Sequence, residues 1–572
     1  MQINSAVIAL TGESGDGIIS LGEILTRIFA KMGLNVLTFK TYPAEVRGGQ
    51  CVFTINVQQD PILTQGDKYD ILMCMDLASY ELNKDRLKAY GIIIFNKDTT
   101  RVEHVKGSSY GIPLNTLTLN TDTKKEKNML MLGVMTKLFG LDFKLVKEIV
   151  SEKWGKNKII LEKNLKALKA GWEWSTQYFN ENDGYRFISI ETSEKMLLTG
   201  NEALCLGAMT AGCRFFSGYP ITPATEILEW FLKRMPKIDG VAIQTEDEMS
   251  AFGAALGASF SGIRAMTATS GPGFSLMTEF VNLAGAAEIP IVVIDVQRAG
   301  PSTGMPTKMD QADLYHASFG GSGESPRIVL APTNVEDCYY QVIKAFNLAD
   351  KYQLPVILLS DQSLSHRYEI VPALDPIRIP SVYPKHPTEE DLKRYQRYKL
   401  SESGVSPMSI PGMAGGEYVA TGLERDEIGM PTYDPKTHEL NMLRRMRKLE
   451  RVAIEDAEFE TYGSSDAKIG IISWGSTTGT VKEAIRLAAL KGLKVASLHP
   501  KLLYPVPKKE ILSWLLNKDK VIVVEVNRLA QYHHILQGEL GISLHSLTKN
   551  TGLPFTSREI LLKIEEVVNF AD

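Results

Sequence analysis

The sequence predicts an α/β protein built from three strand–helix alternations in series, and three observations carry that prediction. The chain opens with an apolar run at residues 6–10, the glycine-rich turn Gly12-Glu13-Ser14-Gly15-Asp16-Gly17, and an amphipathic stretch ending near residues 31–33. A second alternation of apolar strands and helical periodicity runs from residue 188 to about residue 360. A third begins near residue 468 and holds three apolar strands separated by two helix-like segments. Alternation of this kind makes mostly parallel sheets flanked by helices. At 572 residues the chain exceeds one core and suggests about three to five domains.

Composition bounds the function. With 44% hydrophobic and 23% charged residues the chain has the balance of an ordinary soluble protein. A net charge of −4 and a pI near 6.2 leave no electrostatic footprint for nucleic acid or an anionic membrane. The first dozen residues lack a charged leader, and no apolar run spans a bilayer, so a cytoplasmic location is expected. The five cysteines, Cys51, Cys74, Cys205, Cys213 and Cys338, contain no C-x-x-C pair and read as buried small hydrophobes. The nine histidines form no metal-binding spacing, and no metal is expected in this chain.

Taken in order, the first strand, glycine turn and helix make the start of a Rossmann-like unit. Its spacing is G-x-x-G-x-G rather than G-x-G-x-x-G, and Lys40 stands where a ribose-binding acid is required, which argues against a dinucleotide. The triplet Gly15-Asp16-Gly17 also opens the diphosphate motif of thiamine enzymes, but the asparagine that completes it is missing from the apolar run at residues 36–41. Tyr42-Pro43-Ala44-Glu45-Val46-Arg47-Gly48-Gly49 precedes an alternating strand at residues 51–57, and helices are expected from residue 126 to about 174. The polar turn at residues 180–184 marks the first domain boundary.

The second alternation carries the site. Tyr219-Pro220-Ile221-Thr222-Pro223 joins a strand near residues 213–216 to a helix over 224–233, with Thr222 as a candidate cap. Gln244-Thr245-Glu246-Asp247-Glu248 then enters a helix rich in small residues. Thr245 and Glu248 have capping-box spacing, so Glu248 is either a cap partner or a functional acid. Thr269-Ser270-Gly271-Pro272-Gly273 follows a third strand, and Arg298-Ala299-Gly300-Pro301-Ser302-Thr303-Gly304 a fourth. In a parallel sheet the loops after the strands converge on one edge, so one site is expected from all four. Arg298 suits a carboxylate, since a guanidinium offers it two parallel donors. The alternative is a structural ion pair with Glu246, Asp247 or Asp313.

These four ordered motifs closely resemble the alpha subunit of the 2-oxoacid:ferredoxin oxidoreductases. The glycine-rich first turn and Arg47-Gly48-Gly49 resemble the gamma domain of the same family, with Asp16 departing from its pattern. The resemblance implies a fused gamma–alpha subunit of the 2-oxoglutarate type, with a gamma domain at 1–183 and a doubly wound pyrimidine-binding domain for thiamine diphosphate at 188–374. An irregular connection at 375–466 and a transketolase C-terminal-like α/β domain at 467–572 complete it. It implies that Glu248 contacts the aminopyrimidine, favouring the tautomer that activates the cofactor. Tyr219, Pro220, Ile221, Pro223, Ser270 and Gly271 would line the cofactor, while Arg47 would face coenzyme A or the neighbouring domain. Thr222 and Arg298, with Ser302 and Thr303, would hold the 2-oxo acid.

What the family requires but this sequence lacks, a complete diphosphate–magnesium motif and the cysteines of a [4Fe-4S] cluster, is expected in a separate beta subunit. That subunit would share the thiamine diphosphate, in an alpha–beta or doubled complex that reduces ferredoxin. Pyruvate or a branched-chain 2-oxo acid is the rival substrate. A non-catalytic coenzyme A-binding assembly subunit is the rival of another class. The basic helix at residues 443–451 is flanked by Glu439, Glu450, Glu455 and Asp456 and is expected to be a solvated or inter-subunit face.

Overall fold

The computed structural model describes residues 2–3, 5–43, 48–102, 106–123, 125–180, 183–191 and 194–569. They gather into two compact units, one of Met1–Leu198 with His366–Ala373, the other of Thr199–Ser365 with Leu374–Asp572. In the first unit the strands are β1 (Ser5–Glu13), β2 (Asn35–Thr41), β3 (Gln50–Gln58), β4 (Tyr69–Cys74), β5 (Leu87–Asn96), β6 (Ser109–Ile112) and β7 (Lys195–Thr199). They lie in the order β6-β5-β4-β1-β3-β2, followed by the strand Tyr368–Pro372 and β7. The half from β6 to β1 is parallel, as the Rossmann-like start requires. Helix α1 (Ile18–Lys31) then carries the chain to β2, two places away, because β3 inserts antiparallel to both.

Helices α2 (Lys127–Leu138), α3 (Phe143–Trp154) and α4 (Lys158–Tyr178) occupy the stretch expected to be helical. Glycines let α2 and α4 touch backbone to backbone: a Cβ on Gly133 would stand 2.1 Å from the Leu168 carbonyl oxygen, and one on Gly171 2.0 Å from that of Leu130. The unit continues past the turn at 180–184, because Arg186–Phe187 pairs with Gln2–Ile3 and β7 joins the sheet.

The second unit holds β8 (Phe215–Gly218), β9 (Val241–Gln244), β10 (Ala265–Thr269), β11 (Ile291–Gln297), β12 (Ile328–Leu330) and β13 (Pro355–Asp361). Further on come β14 (Phe459–Gly463), β15 (Ile469–Ser473), β16 (Val495–Pro500), β17 (Leu502–Tyr504), β18 (Lys520–Glu525) and β19 (His545–Thr548). The larger sheet runs β9-β8-β10-β11-β13-β12-β17 and is parallel except for β17. The smaller runs β14-β16-β15-β18-β19, with only β14 antiparallel. Its three middle strands are those read from the sequence; the two edges are additions. One apolar cluster joins the sheets, including Phe252, Val293, Trp474, Val523 and Tyr532. The five cysteines are buried, and no described helix is long and apolar enough to cross a membrane.

The basic helix corrects the sequence reading. It is helix Pro435–Glu455, capped by the Asp434 side chain, and its Arg444 and Lys448 point inward rather than into solvent. Both bond the carboxylate of Glu288, which is itself fully buried, Lys448 at 2.5 Å. Arg445 closes on Glu424 at 2.8 Å. The cations are internal because their counter-charges come from residues more than twenty positions away, which a local count of charges does not reveal.

Candidate active site

The four loops named above do follow four strands of one parallel sheet. After β8 the chain turns through Tyr219, which is exposed, to Thr222 and Pro223 and enters α5 (Thr225–Arg234). Thr222 is not the helix cap: Ala224 occupies that position with no side-chain bond. Instead the Thr222 carbonyl accepts a hydrogen bond from Arg298 Nη1 at 2.7 Å. The Asn201 side chain donates to the Pro223 carbonyl at 3.2 Å and holds the loop from behind.

After β9 the chain enters α6 (Glu248–Phe260), and here the capping-box alternative fails. The cap is Asp247, whose carboxylate accepts from Ser250 N at 2.7 Å; the Thr245 hydroxyl donates to backbone carbonyls instead. Glu248 is thereby released from any capping duty. Its side chain is buried, 7% exposed, and its carboxylate has no hydrogen-bond partner among the described residues. A largely covered glutamate whose carboxylate bonds nothing in the chain keeps both oxygens available to a ligand. Glu246 stays exposed.

After β10 comes Ser270 and then α7 (Gly271–Ala287). The Ser270 hydroxyl is buried without a partner and does not cap the helix. Gly273 faces Glu248 directly: a Cβ there would lie 2.7 Å from Glu248 Oε1 and 2.2 Å from Thr269 Oγ1. Glu248, Ser270 and the bare face of Gly273 thus form a cradle with an acceptor and a hydroxyl unsatisfied. A thiamine pyrimidine, a flat ring carrying a ring nitrogen and an amino group, fits that donor set.

After β11 stands Arg298, 7% exposed. It forms no ion pair with Glu246, Asp247 or Asp313 within contact distance; Nη1 is held by Thr222 and Nε is unpartnered. Burial draws its pKa down, opposed by the nearby charges of Asp313 and Asp295. Beyond it the loop folds back tightly, Met305 N donating to the Ala299 carbonyl at 2.8 Å, and leaves Ser302 and Thr303 exposed at its tip. No described contact brings that tip to Glu248 or Arg298.

Sequence reasoning missed Asp295, in the middle of the otherwise apolar β11, and the role of Gln297 and Gln311. The signal was present: an acid in a run as apolar as Ile-Val-Val-Ile-Asp-Val is anomalous for a central strand. Gln311 anchors the loop after Arg298 to the smaller sheet. Its side chain donates to the Trp474 carbonyl at 3.0 Å and accepts from Thr477 Oγ1 and Val526 N. Through these bonds the C-terminal sheet anchors the loop that follows Arg298.

In the first unit, a cavity of about 570 Å³ opens beside the glycine turn, lined by Ser14, Gly15, Gly17, Ile18, Tyr42 and Cys51 among others. Asp16 folds back to accept from Glu13 N at 3.1 Å, and burial raises its pKa. Arg47 lies outside the described residues.

The chain is similar to known proteins over almost its whole length. Residues 206–444 match the family model described as pyruvate flavodoxin/ferredoxin oxidoreductase, thiamine diphosphate-binding. Residues 7–174 match pyruvate ferredoxin/flavodoxin oxidoreductase, and residues 467–552 match core domain II of pyruvate:ferredoxin oxidoreductase. A 2-oxoglutarate oxidoreductase subunit KorA of Mycobacterium tuberculosis is 34% identical over 98% of this chain and 91% of its own length. The alpha subunit of 2-oxoacid:ferredoxin oxidoreductase 2 of Aeropyrum pernix is 30% identical over 98% of this chain and 97% of its own. Among solved structures, the 2-oxoglutarate:ferredoxin oxidoreductase of Magnetococcus marinus, with 2-oxoglutarate, coenzyme A and succinyl-CoA bound, superimposes with a TM-score of 0.92. The identity is 37%, over 99% of this chain and all of that one.

Proposed function

The chain belongs to the 2-oxoacid:ferredoxin oxidoreductase family, and we propose that it is the fused gamma–alpha subunit of an enzyme converting 2-oxoglutarate and coenzyme A to succinyl-CoA. The reaction releases carbon dioxide and one proton and passes two electrons to ferredoxin. The observation that carries this reading is Glu248, a buried residue whose carboxylate has no partner among the described residues, facing the bare Gly273 at the strand-end edge where Arg298 also stands.

Thiamine diphosphate, when bound, supplies the carbon nucleophile and takes up the electron pair left by decarboxylation. Glu248 holds the ring nitrogen of the pyrimidine by a charge-assisted hydrogen bond, and the Ser270 hydroxyl and Gly273 face shape the space around it. Arg298, fixed through Nη1 on the Thr222 carbonyl, keeps its remaining donors for the 1-carboxylate of the oxo acid. The Thr222 hydroxyl, which has no partner among the described residues, donates to the same carboxylate or to the keto oxygen. Ser302 and Thr303 act only once their loop folds over the bound acid. The low polarity around these groups strengthens each interaction relative to water. A beta subunit carries the diphosphate–magnesium site and the iron–sulfur cluster, and ferredoxin docks on the assembled complex.

The test is to co-purify the chain with its beta subunit and follow viologen reduction with coenzyme A, thiamine diphosphate and a panel of 2-oxo acids. Reduction with 2-oxoglutarate at a kcat/KM well above those for pyruvate and branched-chain acids is expected. Preference for another acid would overturn the substrate assignment. An intact, cofactor-loaded complex inert towards all of them would leave an assembly subunit.

A further inference from the structure

The structure points to a second layer of the site, behind Arg298. Asp295 sits in the centre of β11, paired on one side with Thr269 and on the other with Leu359, and is wholly buried. Neither of its carboxyl oxygens has a hydrogen-bond partner. Two residues along the same face, Gln297 accepts from the backbone N–H of Asp313 at 3.1 Å and donates to the Ser360 carbonyl at 3.1 Å. That bond brings Asp313, at the start of the short helix Leu314–Phe319, alongside Asp295. Asp313 lies against the backbone of Gly271, where a Cβ would stand 2.9 Å from Oδ2, and that oxygen too is unpartnered. Arg298 completes the group with an unpartnered Nε.

We propose that Asp295 and Asp313 are positioning residues for Arg298: buried carboxyl groups that, without a direct ion pair, supply the counter-charge keeping its guanidinium at the sheet edge, where the substrate carboxylate is received. The inference rests on the proposed role of Arg298. Two ionised carboxylates beside one cation would leave an uncompensated buried charge, so one of the pair carries a proton and the other the counter-charge. Burial favours that arrangement, raising Asp295 well above the usual aspartate range and Asp313 to about 6, with Arg298 opposing both shifts. Without the pair the guanidinium loses its counter-charge and is held by the Thr222 carbonyl alone. Because the pair touches no reacting atom, its removal acts on substrate binding before it acts on turnover.

The test uses the co-purified complex and five variants. Asp295→Leu and Asp313→Leu are expected to raise the KM for the 2-oxo acid roughly tenfold or more, with the KM for coenzyme A unchanged. Asp295→Asn, which keeps the shape and hydrogen-bonding capacity of a protonated carboxyl, is expected to stay within about twofold of wild type. Should Asp295→Leu fail to fold, the double variant D295N/D313N removes the charge at constant shape and is expected to raise the oxo-acid KM alone. The proposal is overturned if the folded leucine variants, or D295N/D313N in their place, leave that KM unchanged or raise both KM values together. Arg298→Gln separates this from the parent reading: if it too leaves the oxo-acid KM untouched, the role given to Arg298 is at fault.

Discussion

Replacing Glu248 by Gln separates catalysis from stability. The two side chains have nearly the same volume, and Glu248 is 7% exposed with no partner to lose. Folding is therefore expected to change by no more than about 1 kcal/mol, because the amide replaces a carboxylate that bonds nothing in the chain. That appears as a Tm unchanged to within a few degrees. Catalysis falls, because the amide cannot hold the pyrimidine nitrogen as the carboxylate does. General acid–base contributions of this kind amount to about 10²–10⁴ in rate, or roughly 3–5 kcal/mol of barrier. The assay is steady-state viologen reduction by the co-purified complex, with thermal unfolding of the same preparation. A kcat within about threefold of wild type, or a loss of activity that tracks a lower Tm, would refute the assignment.

Three further outcomes test the frame around the site. Gly273→Ala puts a methyl group against Thr269 Oγ1 and Glu248 Oε1, so the complex should fold but lose kcat as Glu248 is displaced, measured by the same assay. Glu288→Gln leaves Arg444 and Lys448 buried without their counter-charge and should destabilise the chain by about 3–5 kcal/mol in denaturant titration, while Glu424→Gln, at a half-buried pair, should cost less. Asp310 has its pKa raised from 3.8 to about 7 by burial, so the fold binds more protons than the unfolded chain between those values, and stability falls as pH rises through them. Asp310→Asn should match wild type below about pH 4 and exceed it above pH 7, by no more than about 4 kcal/mol in thermal or denaturant unfolding; equal gains at both ends would exclude the titration.

What the sequence determined by itself is what short-range pattern encodes. Period-two and period-3.6 apolarity located β8, β10, β11 and the strands and helices of the C-terminal sheet to within a few residues, and helix Lys508–Leu515 to the residue. Glycine and proline marked the loops, and parallel connection obliged those loops to meet at one edge. Glu248 and Arg298 were thus legible as candidates before any coordinate. Their freedom was not. Thr245 and Glu248 fit the capping-box spacing as well as a functional acid does, and only the backbone, by giving the cap to Asp247, left the Glu248 carboxylate unsatisfied. Likewise the Arg298 guanidinium and Asp313 are neighbours in charge but not an ion pair, a matter of ångströms that spacing does not record.

Tertiary structure alone decided where buried charge finds its partner. Glu288 and Arg444 are 156 residues apart, so nothing local to the basic helix says that it faces inward. The strand Tyr368–Pro372 returns to a sheet begun more than three hundred residues earlier, and β3 inserts antiparallel between strands that a glycine turn and helix join. Apolar pattern fixes which face of an element is buried, because desolvation acts on each side chain wherever it lies. It does not choose the neighbour, because pairing energy depends on distance and direction between groups that only the folded chain brings together.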